Sequence, residues 1–173
     1  MSPGARHGPR NPPYRRLAAP RPRRESMSWG EVRVERTYPC SRADLWEELR
    51  HIDRHVKWMA DAVSIDFLTP HREGVGVQFT CRTKIGPFVT QDEMTITTWH
   101  DLEVMGVEHR GLVRGRGEFT LIATSESETH MVWREKLTFP WWMAGPIGVT
   151  VAHPILRKIW SGNLRRLGEQ LEN

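Results

Sequence analysis

The chain has 173 residues, 38% hydrophobic and 27% charged, the balance of a single globular domain. Its formal charge of +4 is unevenly placed: residues 1–26 hold seven arginines against one acid, Glu25. The rest carries 18 Lys+Arg against 20 Asp+Glu, which argues against a basic nucleic-acid-binding surface on the folded body.

In chain order, the first segment is the Arg/Pro-rich stretch 1–26, which also holds six of the twelve prolines. It has too few large apolar side chains to offset its ordering entropy, so a disordered tail is expected, followed by a folded domain over 27–173. Two readings of the tail stay open: an arm for nucleic acid or anionic lipid, or a plain leader ahead of Met27. No apolar run of signal-peptide type follows the arginines.

Trp29–Tyr38 alternates Val32 and Val34 with charged neighbours, as a half-buried strand does. Ser41 is an N-cap candidate for the helix ADLWEELR, with Asp44 completing an acidic capping box. A second short helix is expected from about Ile52 to Met59. Alternating segments follow near 62–69, 75–85, 88–99, 102–109, 113–123 and 129–139. Their loops are short (Gly86-Pro87, His100-Asp101, Arg110-Gly111-Leu112 and Ser125-Glu126-Ser127), so the strands must be antiparallel. The chain ends in a long helical pattern opened by Gly145-Pro146, with Ile147, Val151, Ile155, Ile159, Leu164, Leu167 and Leu171 on one face. Pro154 should kink or interrupt it. The apolar run Trp141–Leu156 is too short and too broken by Gly and Pro to span a bilayer.

The expected class is α+β: a curved antiparallel sheet of about seven strands wrapped around the last helix, with two short helices after the first strand. Such a grip rarely fills with side chains, and a cavity is expected. The segments VRVERTYPCSRADLWEEL, VGVQFTCRTKIGPF, GRGEFTL, HMVWREKLTFP and WSGNL carry a resemblance to the helix-grip superfamily of START domains, pollen allergens and polyketide cyclases. They look like bacterial members of the polyketide cyclase/dehydrase or lipid-transport type. The resemblance covers about residues 30–172 and implies fold more than activity, because that superfamily includes carriers, sensors and enzymes.

Centring each hairpin on its loop pairs Cys81 with Asp92, Asp92 with His109, Val107 with Gly115, and Gly117 with Glu135. The resulting inner face is apolar: Val77, Phe79, Met94, Ile96, Met105, Val107, Phe119, Leu121, Trp133, Leu137 and Phe139. A one-residue slip would reverse a strand's faces, so this mutual agreement supports the registers. Four polar groups fall inside: Cys81, Asp92, His109 and Glu135. Asp92 opposite His109 reads either as an acid–imidazole pair able to move a proton or as a structural polar pair. Glu135 amid Trp133 and Leu137 needs a partner, a proton or a wet cavity. Gly115 and Gly117 leave room for a ligand or bend the sheet.

The expected ligand-contacting set is Val77, Phe79, Cys81, Met94, Ile96, Met105, Val107, Gly117, Phe119, Trp133, Glu135 and Leu137. Asp92, His109 and Glu135 are the candidate catalytic groups. His51 and His55 read as a solvated helix face, because no third metal ligand is evident; no metal or other cofactor is expected. Cys40 and Cys81 form neither a zinc spacing nor a CxxC pair. Trp141 and Trp142 read as packing at the helix entry or as a cavity gate that touches membranes transiently. No GxSxG nucleophile motif occurs. The expected function is binding or transport of a hydrophobic small molecule (a lipid, polyketide or aromatic compound) in a cytoplasmic setting. The alternative is a cyclase/dehydratase acting on a polyketide-like substrate.

Overall fold

A computed structural model describes residues 31–138 and 145–172, with side chains for 31–138 and 153–172. The tail 1–26, Phe139, Trp141 and Trp142 lie outside the described residues. The strands are β1 (Glu31–Tyr38), β2 (Ala62–Phe67), β3 (Gln78–Ile85), β4 (Phe88–His100), β5 (Val104–Arg110), β6 (Arg114–Ser125) and β7 (Glu128–Thr138). Helix α1 (Arg42–Arg50) and a 3-10 helix (Ile52–Lys57) follow β1, and α2 (Gly145–Leu171) closes the chain. The seven strands form one antiparallel sheet in the order β1-β7-β6-β5-β4-β3-β2. Among the described residues no helix is long and apolar enough to cross a membrane.

Local chemistry sets the helices. The Ser41 hydroxyl oxygen accepts from the Asp44 backbone N–H at 3.2 Å, and the Asp44 carboxylate accepts from the Ser41 hydroxyl at 2.6 Å, the capping expected from sequence. Leu45, Trp46 and Leu49 of α1 are buried. On α2, the buried Leu156, Trp160, Leu164 and Leu167 recur every three or four residues and form one stripe. Of the kink or interruption expected at Pro154, the interruption does not occur: the helix runs through it without a break. Proline removes one backbone hydrogen bond, a local loss set against the packed stripe that begins two residues later at Leu156.

Two adjacent residues of α2 show how the sheet curls. The Tyr38 hydroxyl, at the end of edge strand β1, donates to the Leu164 carbonyl at 2.8 Å. Fully buried Asn163 accepts from the Ala60 N–H at 3.1 Å and donates to Asp61 Oδ1 at 2.6 Å, just before the opposite edge strand β2. Both edges of a seven-stranded sheet therefore reach one turn of the same helix, and the sheet between them must bend.

The expected registers hold for β3–β4 (Cys81 opposite Asp92, Phe79 opposite Met94) and for β6–β7 (Gly117 opposite Glu135, Phe119 opposite Trp133). They differ on both sides of β5. The β4–β5 turn occupies residues 101–103, with Leu102 at φ 67°, and a register shift follows between Ile96 and Thr98. The longer turn and the opposing bulge leave a net slide of two residues, so Met94, not Asp92, faces His109. The β5–β6 turn is also centred one residue later, and Gly115 faces His109 while Gly117 faces Val107. A two-residue slide preserves each side chain's face, so among the described residues the inner face is as expected although the partners change.

Candidate ligand cavity

Between the curled sheet and α2 lies a cavity of about 940 Å³. Phe79 and Cys81 of β3, Met94 and Ile96 of β4, Met105 and Val107 of β5, and Phe119 of β6 border it. Trp133 and Leu137 of β7 and Leu156, Ile159 and Trp160 of α2 close the wall, and Ile52 and Met59 border it beside the 3-10 helix. Trp133 stacks on Trp160 with centroids 5.1 Å apart and takes Phe119 edge-on, also at 5.1 Å. Every residue of the expected ligand-contacting set borders the cavity except Val77. Val77 is fully buried in the core just before β3, where its carbonyl accepts from the Ile96 N–H at 2.9 Å.

The polar groups meet differently from expectation. Asp92 and His109 are not a cross-strand pair, because of the slide at β5. Asp92 is 4% exposed and accepts from the Val113 N–H at 3.4 Å. His109 instead reaches across β6 to Glu135, with Nε2 and Oε2 3.4 Å apart. Glycine at 117 permits this crossing: a Cβ there would stand 2.6 Å from Glu135 Cδ and 2.7 Å from Oε2. Glu135 Oε1 accepts from the Trp133 indole N–H at 3.0 Å.

The His109–Glu135 distance is that of an ion pair, but the imidazole N–H does not align on the carboxylate. His109 Nε2 and Glu135 Oε2 are both buried without a hydrogen bond. Burial pulls the His109 pKa down, while its contact with Glu135 and the charges of Glu135 and Asp92 push it up; the balance lies above the ordinary imidazole value. The Cys81 thiol, 3.7 Å from the Thr83 hydroxyl, is pushed up by burial and so held as an unreactive thiol.

His55 overturns the solvated-face expectation. It is 5% exposed, borders the cavity, and donates from Nε2 to the Leu49 carbonyl at 2.7 Å. His51 stays on the outside with Glu47 at 3.0 Å. The 3-10 helix is the cause: its residues i and i+3 eclipse, so His55 lies beneath the buried Ile52 instead of continuing the face of His51. Burial lowers the His55 pKa to about 4, keeping it neutral. Asp61, also on the cavity wall, was not singled out from sequence; the signal for it is Asn163, an amide inside the apolar stripe of α2 that demands a buried partner. Among the described residues no group of three or more His, Cys, Asp or Glu side chains could hold a metal ion.

Solved structures share this fold. A START superfamily protein from Mycobacterium smegmatis matches with a TM-score of 0.68 at 10% identity, over 82% of this chain and 97% of that one. The chain has the START-like, helix-grip fold. The START-like likeness extends to the Zhui aromatase/cyclase from Streptomyces sp. R1128, with a TM-score of 0.66 at 12% identity over 82% and 93% of the two chains. Norcoclaurine synthase from Thalictrum flavum matches with a TM-score of 0.61 at 12% identity, over 82% and 92%. No protein-family model matches the sequence, and no curated protein matches it either.

Proposed function

We propose that the protein binds a hydrophobic small molecule inside this cavity, as a carrier or sensor. The observation that carries the reading is a cavity of about 940 Å³ walled mainly by apolar and aromatic side chains. That volume falls in the range that accommodates drug-sized ligands, about 300–1,000 Å³. Apolar surface moved from water onto such walls contributes about 25 cal/mol per Å², so a three- or four-ring or long-chain ligand gains enough to bind without many polar contacts.

One observation favours a second reading, a cyclase/dehydratase: His109 and Glu135 form an adjacent base and acid on the wall. Two of the similar structures are an aromatase/cyclase and a synthase, so this fold can support catalysis. The test is native mass spectrometry of freshly purified protein, followed by titration with the neutral dye Nile red. A carrier retains mass-resolved cargo or shows a saturable dye site; absence of both refutes the reading. Turnover of a polyketide-like substrate that falls by about 10²–10⁴-fold in His109→Ala or Glu135→Gln, with affinity kept, would establish the enzyme instead.

A further inference from the structure

No Lys or Arg borders the cavity among the described residues, and the stretch 139–152 contains neither in its sequence. The acidic residues on the wall are Asp61, Asp92, Glu118 and Glu135, and the imidazoles are His55 and His109. Most of this polarity is already satisfied internally. Asp61 accepts from Asn163, Asp92 from the Val113 N–H, Glu118 from the Thr120 hydroxyl, and His55 donates to Leu49.

Among the fully buried side-chain atoms of the wall, one acceptor and one donor lack a hydrogen bond. Glu135 Oε2 and His109 Nε2 stand 3.4 Å apart on side chains only 7% and 13% exposed, each without a hydrogen bond. Leaving such groups unpaired indoors is costly, so a ligand that satisfies both is favoured over one that satisfies neither.

We infer that the cavity selects an uncharged hydrophobic ligand bearing a hydroxyl, a phenol above all, and rejects ligands whose buried end is a carboxylate or phosphate. The inference rests on the binding reading above. A hydroxyl carries one donor and two acceptor lone pairs, so once the two side chains turn these buried atoms toward the cavity it donates to Glu135 Oε2 while accepting from His109 Nε2. A carboxylate offers acceptors only: it satisfies His109 but places its charge against Glu135, with no Lys or Arg among the described residues of the wall to offset that repulsion. An ammonium offers donors only and leaves His109 facing a cation. The phenol is preferred to an aliphatic alcohol because the wall beside the pair is aromatic, with Trp133 bonded to the Glu135 carboxylate and stacked on Trp160.

A matched probe series tests this with the full chain at pH 7: pyrene, 1-hydroxypyrene, 1-pyrenecarboxylate and 1-pyrenemethylammonium, read by quenching of tryptophan fluorescence. Hydroxypyrene should bind about tenfold tighter than pyrene and than the carboxylate, the worth of one buried hydrogen-bonded group. Glu135→Gln should reduce the hydroxyl's advantage over pyrene and improve carboxylate binding about tenfold. Asp92→Asn should improve the carboxylate while keeping the hydroxyl preference, and it provides a second variant if the first fails to fold. Carboxylate or ammonium binding as tight as hydroxypyrene, or hydroxypyrene no better than pyrene, overturns the selectivity while leaving the cavity reading intact. If neither the pyrenes nor Nile red binds saturably, the cavity reading falls and takes this inference with it.

Discussion

His55 should make the fold acid-sensitive in a defined window. Its pKa in the fold is about 4, lowered by burial, against about 6.5 for an exposed imidazole. Because the folded value lies below the unfolded one, the unfolded chain binds the proton first as pH falls. The contribution is therefore fully present above about pH 6.5, declines on acidification, and is lost by about pH 4. At about 1.4 kcal/mol per pH unit, the step from pH 7 to pH 5 removes about 2 kcal/mol through this group alone. Urea unfolding at the two pH values, in the parent and in His55→Gln, isolates the effect from the other histidines. Glutamine can keep a donor near the Leu49 carbonyl but does not titrate. With a denaturant slope of about 2 kcal/mol per M, the parent's midpoint should fall by about 1 M more than the variant's. Equal shifts in both proteins, or an imidazole resonance of His55 titrating near pH 6.5, would refute the argument.

His109 should act with the opposite sign. Its folded pKa is raised, so its contribution is fully present below about pH 6.5 and is lost as pH rises through the folded value; His109→Gln should flatten that alkaline decline in the same urea assay. Gly117→Ala should push the Glu135 carboxylate off Trp133 and cost about 1–3 kcal/mol, seen as a lower thermal midpoint; a variant as stable as the parent would show that the carboxylate moves freely. Tyr38→Phe removes the hydroxyl that ties β1 to α2 and should cost about 0.5–1.5 kcal/mol by urea unfolding.

The sheet, its strand order in outline and most of the cavity wall were legible because strand alternation has period two and is insensitive to slides of two residues. That same insensitivity hid the contact that matters most. Pairing Asp92 with His109 and pairing Met94 with His109 leave identical faces inward, and only the length of the turn at residues 101–103 and the bulge after Ile96 decide between them. Neither has a strong sequence signature: Leu102, the residue with positive φ, is not a turn-forming type. His55 was hidden for a related reason. Assigning α-helical rather than 3-10 periodicity to residues 52–57 rotates its side chain out of the interior.

The corrected pairing also changes what the polar wall can do. An Asp92–His109 pair directly opposite on neighbouring strands could have aligned a hydrogen bond of its own. Contact across an intervening strand, over the bare backbone of Gly117, holds His109 and Glu135 at 3.4 Å but denies them alignment. The two groups are thus near enough to favour charging of the imidazole, yet each keeps an unsatisfied site in the interior. A third group bridging them from one side can complete both bonds at once, whereas a self-contained pair would have to break its own bond first. The glycine that looks like a weak point in β6 is, on this geometry, what keeps the pair open: any larger residue would displace the Glu135 carboxylate and remove the acceptor that a bound hydroxyl needs.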